Sequence, residues 1–218
     1  MKFSASAFRN LAVSALIACS AAGAPFYASV GAPETTSQVQ VGKEAPDFTL
    51  TDIDGKKVKL SDFRKKFVVL EWFNDGCPFV KKHYNSDNMQ SLQKEFTKKG
   101  VVWLSICSSG AGQQGNHTDA EFKQILKKWN TAPTHFLVDA DGKVGHLYGA
   151  KTTPDMFVIG KDGQLLYAGA IDDHPDTDAD SIKISKNFVR EALDQSMAGK
   201  SIATSTTKSY GCKVHYGG

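Results

Sequence analysis

Between Phe67 and Phe96 the chain passes from an apolar run, through a short polar turn, into a helical pattern, and a cysteine stands at the handover. Phe67 to Leu70 reads as a buried strand and Phe79 to Phe96 as one helix, joined through Asn74-Asp75-Gly76-Cys77-Pro78. Cys77 is thereby placed at a helix N-terminus, where unpaired N–H groups and the positive end of the helix dipole favour a thiolate. The thiolate is the reactive form of sulfur, so the position suits a redox nucleophile. The second thiol of a Cys-x-x-Cys pair would fall at position 80, which is Val80. The turn holds half of a dithiol site.

Strands and helices alternate on either side of it. Phe48 to Ile53 and Lys56 to Leu60 flank Asp54-Gly55, a hairpin signal, and Val101 to Ile106 is a further buried strand. A Gly/Ser/Gln-rich loop, Ser108 to Asn116, leads to a helix from Asp119 to about Trp129, capped by Thr118 or Asp119. Thr134 to Val138 reads as a strand ending at Asp141-Gly142. Met156 to Ile159 and Gln164 to Ala168 form a second hairpin across Asp162-Gly163. Ser181 to Ala198 is amphipathic, with Ile184, Phe188, Ala192 and Leu193 on one face. The pattern predicts βαβ units within a mixed sheet.

The chain's 218 residues suffice for one well-cored domain with extensions. Lys2 and Arg9, an apolar stretch from Leu11 to Ile17 and the small residues after it read as an export signal over residues 1–24. Leu16-Ile17-Ala18-Cys19 also fits a lipobox, which would make Cys19 a lipid-anchored first residue. The soluble outcome, with cleavage near Ala24 or Ala28, is preferred. The apolar stretch is shorter than the ~20 residues that a bilayer requires. Either outcome places the protein in the periplasm or otherwise outside the cytoplasm, where disulfides persist. Residues 25–38 read as a linker, 39–198 as the domain and 199–218 as a Ser/Thr-rich tail carrying Tyr210-Gly211-Cys212. Lys2 and Arg9 supply two of the formal net +3 charges, and no Lys/Arg cluster interleaves with aromatics, which argues against nucleic acid as a partner.

Taken together, residues 42–50 (Gly-Lys-Glu-Ala-Pro-Asp-Phe-Thr-Leu), Asp54-Gly55-Lys56, Leu60-Ser61-Asp62-Phe63-Arg64, the Cys77 turn and Thr153-Pro154 before Phe157-Val158-Ile159 resemble the thioredoxin-like redoxins. That group includes the AhpC/TSA proteins and the exported TlpA- and ResA-type thiol–disulfide oxidoreductases. The resemblance spans residues 39–198 and implies an α/β thioredoxin-like fold. A central mixed sheet is flanked by helices, with an N-terminal hairpin extension and a C-terminal tail. It puts the nucleophile on Cys77 and a cis-proline on Pro154, with Thr153 offering its backbone to an incoming disulfide-bearing chain. It also puts a buried acid on Glu71, able to take the proton of a resolving thiol; the alternative is a strand residue reaching solvent.

Departures from the family patterns bear on the reaction. Asn74 stands where peroxiredoxins carry Thr, and no Arg stands near Pro154. The usual means of polarising a peroxide is therefore missing, although Asn74 or Lys81 offers a donor. The expected function is an exported thiol-dependent oxidoreductase, with thiol peroxidase and a copper- or thiol-binding module as alternatives. Its partners would be a thiol/disulfide protein substrate or a small peroxide, and an external thiol reductant. No cofactor or metal is expected. Two cysteines compete as the resolving thiol. Cys107 ends a strand and reads most simply as a buried apolar residue, whereas Cys212 on the tail is preferred because exported proteins seldom keep idle thiols. His83, about 120° around a regular helix from Cys77, does not share its face. His135 and His146 could approach one another across a hairpin, although isolated histidines in strands are more often structural, and Asp172 to Asp178 reads as a solvated connection.

Overall fold

In the computed structural model, residues 39–217 are described; the export signal, Cys19 and the linker lie outside them. Seven strands form one mixed sheet: β1 (Thr49–Asp52), β2 (Lys57–Lys59), β3 (Val68–Trp72), β4 (Val102–Cys107), β5 (His135–Val138), β7 (Met156–Ile159) and β8 (Leu165–Gly169). A separate two-stranded ladder pairs β6 (Thr152–Thr153) with β9 (Cys212–Lys213). The order across the large sheet is β2-β1-β5-β4-β3-β7-β8. β3 pairs parallel with β4, and β4 with β5, while β7 runs antiparallel to β3 and to β8.

β3 is buried along its whole length, so its side chains feed two cores. Val69 and Phe73 face the layer made by α1 (Pro78–Asn85), α2 (Asn88–Lys98), α3 (Asp119–Lys128) and α5 (Phe188–Met197). Val68, Leu70 and Trp72 face the opposite side, with Val144 and Tyr148 of α4 (Lys143–Tyr148). That alternation is the period-two consequence of the pleat. Among the described residues, no helix is long and apolar enough to cross a membrane.

Four readings of the sequence are corrected. The helix expected from Phe79 to Phe96 is two helices, because Asp87 adopts a left-handed conformation (φ 59°) between them, a geometry that Asp and Asn tolerate. The amphipathic run from Ser181 holds only a 3-10 turn, and α5 begins at Phe188, where the Asn187 side chain accepts from the Arg190 N–H at 2.9 Å. Ile184 lies outside the helix and is 76% exposed. His146 sits on α4 and stacks on Tyr216, whereas His135 bonds Asp52 at 2.9 Å, so the two do not face each other. Asp172 is buried rather than solvated.

Glu71, Asp139 and Asp155 are among the buried carboxyls. Burial pushes each upward, against hydrogen bonds that pull it back. Asp155 follows Pro154 directly and accepts from the Lys151 N–H at 3.0 Å. Its pKa is pushed up to about 7 by burial, while the Lys151 N–H, the Ser209 hydroxyl and the N–H groups of Thr152 and Met156 act the other way. An unfolded Asp titrates near 3.9, so between roughly pH 4 and 7 the folded chain keeps a proton that the unfolded chain releases. Stability from this group is complete below about pH 4 and is lost as pH rises through about 7. Asp155→Asn should therefore flatten the fall in urea midpoint between about pH 5 and pH 8. An unchanged slope would assign the effect to other groups.

Candidate active site

Cys77 is the N-cap of α1 and Pro78 its first residue, where the missing N–H is no loss. The turn before it is tied by its own side chain. Asn74 accepts from the Gly76 N–H at 2.8 Å and donates to the Gln114 carbonyl at 3.1 Å, locking the turn to the Ser108–Thr118 loop. His117 and Asp75 add a second tie at 2.8 Å. Asn74 is thus committed to the backbone, and Lys81, one turn beyond Cys77, is exposed. The Cys77 side chain is 0% exposed, and its thiol donates to the Thr153 carbonyl at 3.0 Å. The Thr153–Pro154 peptide is cis. Val80 is buried in the helix-side core, so a resolving thiol must arrive from elsewhere.

A second thiol does approach Cys77, from the tail. Cys212 pairs with Thr153 in the β6–β9 ladder, and its thiol lies within hydrogen-bonding reach of Cys77. Gly211 makes the approach possible: at φ +140°, a Cβ there would stand 2.1 Å from the Thr153 carbonyl oxygen. Burial, followed by Cys77 as hydrogen-bond partner and as charge, pushes the Cys212 thiol up to about 12. Cys107 is buried as well, but its thiol donates to the Gly115 carbonyl at 3.2 Å, and burial raises its pKa. The structure brings Cys77, Thr153, Pro154 and Cys212 together, with Cys107 bonded away from them.

Glu71 lies on the strand below the turn, fully buried. Oε1 accepts from Tyr84 at 2.6 Å, and Oε2 accepts from Trp103 at 2.7 Å, Ser105 at 2.9 Å and Gln93 at 3.1 Å. Its side chain does not reach solvent, and none of these four donors is a sulfur.

The sequence reading passed over a further group. Tyr210 donates its hydroxyl to Asp172, and His83 Nε2 lies 3.4 Å from the same hydroxyl. Lys82, side chain buried, bonds the His174 carbonyl at 2.7 Å and pairs with Asp176 at 3.2 Å. Burial and then the Lys82 ammonium push His83 down to about 3, which keeps the ring neutral. Both ring nitrogens have partners, Asn88 at Nδ1 and Tyr210 at Nε2. Among the described residues, no group of three His, Cys, Asp or Glu stands together to hold a metal ion. The one hint in the sequence was the Tyr-Gly-Cys run in an otherwise Ser/Thr-rich tail.

The AhpC/TSA family model matches residues 41–168. Thiol-disulfide oxidoreductase ResA of Bacillus thuringiensis subsp. konkukian is 30% identical over 151 residues, which cover 69% of this chain and 80% of that protein. An uncharacterized conserved protein from Geobacillus kaustophilus superposes with a TM-score of 0.69 at 28% identity, over 82% of this chain and 93% of its own. A putative thiol:disulfide interchange protein DsbE from Chlorobium tepidum reaches a TM-score of 0.53 at 22% identity, over 74% and 97%, a likeness of fold. With the sheet order, the cis Thr153–Pro154 bond and the Cys77 turn, these matches place the chain in the AhpC/TSA family, as a redoxin of thioredoxin-like fold.

Proposed function

We propose that the chain is an exported thiol–disulfide oxidoreductase in which Cys77 attacks and Cys212 resolves. The observation that carries this reading is the pairing of Cys212 with Thr153, the residue whose carbonyl takes the Cys77 thiol. The Cys77 thiolate attacks one sulfur of a substrate disulfide, forming a mixed disulfide and releasing the first substrate thiolate. Cys212 gives up its proton and attacks Cys77 Sγ; the mixed disulfide breaks and the second substrate thiolate leaves. The substrate gains two electrons, the protein holds a Cys77–Cys212 disulfide, and an external dithiol reductant returns it to the start. Run backwards, the same steps oxidise a dithiol.

Disulfide exchange is favoured over peroxide reduction by the surroundings of Cys77. The two described arginines are engaged elsewhere, Arg64 with Glu44 and Arg190 with Glu95 at 2.7 Å. The substrate is a disulfide-bearing polypeptide or small disulfide, and the tail must lift from Cys77 to admit it. Export rests on the charged and apolar pattern of residues 1–24. The mass of the mature N-terminal peptide would show whether Cys19 carries lipid; an intact Met1 in protein from the native host would remove export. Glu71 fits best as the buried tie that fixes β3 to α1, α2 and β4. Three donors converge on Oε2 and one on Oε1, and none of them is a thiol.

Four outcomes are expected. Cys77→Ser should abolish disulfide reductase turnover. Cys212→Ser should still react once but stall as a mixed disulfide at Cys77, visible by mass, and recycling at an unchanged rate would remove Cys212 from the cycle. Gly211→Ala forces the tail off the Thr153 carbonyl, so alkylation of Cys77 should accelerate on the order of tenfold, the result of destabilising closure by about 1.4 kcal/mol. Glu71→Gln sets an amide donor against four donors and should lower unfolding stability by about 1–3 kcal/mol. If Glu71 instead receives the Cys212 proton, the variant will shift the pH profile of recycling, a shift the tie reading does not expect.

A further inference from the structure

Tyr210 stands two residues before Cys212 and is gripped chiefly by the helix that begins at Cys77. Its ring meets Phe79 edge-on at 5.8 Å, and the Lys82 ammonium lies 5.8 Å from the ring centroid. The Asn88 amide donates to His83 Nδ1 at 2.9 Å, which leaves the ring proton on Nε2, facing the Tyr210 oxygen at 3.4 Å. The Tyr210 hydroxyl in turn donates to Asp172 Oδ1. One run of donors therefore passes from Asn88 through His83 and Tyr210 to Asp172. Asp172 is fully buried; its Oδ2 has no hydrogen-bond partner and faces Lys82 at 3.9 Å and His83 at 4.0 Å. Such a carboxylate is costly to bury, and Tyr210 and the His174 N–H are what its other oxygen receives.

We propose that Tyr210 is a positioning residue for the resolving step: its hydroxyl, latched on Asp172 beside His83, fixes the Tyr210–Gly211–Cys212 segment so that Cys212 Sγ meets Cys77. The argument is geometric. α1 carries the nucleophile at its start and Phe79, Lys82 and His83 within its first two turns, so the latch and Cys77 are joined by one rigid element. Between the latch and Cys212 there is only Gly211, held against Thr153. The position of one thiol relative to the other is thus set across a helix and a single glycine. The inference rests on the reading that Cys212 resolves.

Its test is the lifetime of the mixed disulfide that DTNB forms on Cys77 in the reduced full chain, quenched with acid and read by intact mass and peptide mapping. Cys77 displaces one thionitrobenzoate; Cys212 then displaces the second and closes the Cys77–Cys212 disulfide. In Tyr210→Phe, which keeps the ring against Phe79, the mixed disulfide should live about tenfold longer, as expected for loss of one hydrogen bond to a charged acceptor. Asp172→Asn retains an oxygen for Tyr210 to donate to and should stay within a few-fold of the parent, which separates the latch from general loosening. A lifetime unchanged in Tyr210→Phe, but indefinite in Cys212→Ser, would overturn the latch and leave Cys212 as resolving thiol. A lifetime unchanged in Cys212→Ser would overturn the reading beneath it. Should Tyr210→Phe fail to fold, Tyr210→Leu, which keeps an apolar side chain beside Phe79 and has no hydroxyl to donate, serves in its place, and a lifetime longer than that of the parent is required of it.

Discussion

Thr152–Thr153 and Cys212–Lys213 exchange hydrogen bonds across a ladder only two residues long, and the relation of the two thiols hangs on it. Each such bond contributes about 1 kcal/mol net, so the ladder alone would not hold a tail of nearly twenty residues. The chain spreads the task. Thr207 hydroxyl accepts from the Ala170 N–H at 2.9 Å, and the Val214 N–H donates to the Lys151 carbonyl at 3.1 Å. Gly110 N–H reaches the His215 carbonyl at 2.9 Å, and Tyr216 donates to Ala150 at 2.8 Å while stacking on His146. Segments fastened by many small ties open locally at a fraction of the global unfolding free energy. That suits an arm that seals a nucleophile and yet releases it.

Cys77 also acts electrostatically on Cys212. While Cys77 is reduced, it raises Cys212 both as a hydrogen-bond partner and as a charge. Once Cys77 enters a mixed disulfide, both contributions vanish, while burial still raises Cys212 and its backbone hydrogen bonds at Cys212 and Phe79 still lower it. In the proposed cycle, Cys212 therefore becomes easier to ionise at the stage when its attack is needed. No added base is required for that timing, which agrees with Glu71 being occupied by Tyr84, Trp103, Ser105 and Gln93.

What the sequence disclosed follows from the range of the interactions involved. The two hairpins, the strand before Cys77 and the cap at Thr118 are local, and apolar runs, Asp-Gly turns and a Thr-Asp pair before the helix reveal them. The break at Asp87 stayed hidden because hydrophobic spacing continues through it: Tyr84, Met89, Leu92 and Phe96 are all buried on one side. α4 was missed because it has only six residues and its N-cap is Gly142, which offers no capping side chain; the Asp139 carboxylate, three residues earlier, takes the N–H groups of Val144 and Gly145. Asp172 read as solvated because its acidic neighbours are; what buries it is Tyr210, 38 residues away, and Lys82, on another element. No local pattern encodes such contacts. The tail thiol was legible only as an oddity of composition.

A tail thiol in place of a second cysteine at position 80 alters what limits the cycle. A thiol on the same helical turn stays within reach of the nucleophile whether or not substrate is bound, and core-filling Val80 removes that option. With the arm seated, Cys77 is sealed and Cys212 is in contact; with the arm raised, Cys77 is open and has no partner. In the proposed cycle, access and resolution therefore exclude each other, and the mixed disulfide would last for as long as the arm takes to return. The lifetime of the substrate-bound state becomes a property of the contacts that reseat the arm, and Tyr210, one glycine away from the thiol and clamped to the nucleophile's own helix, is the contact best placed to set it.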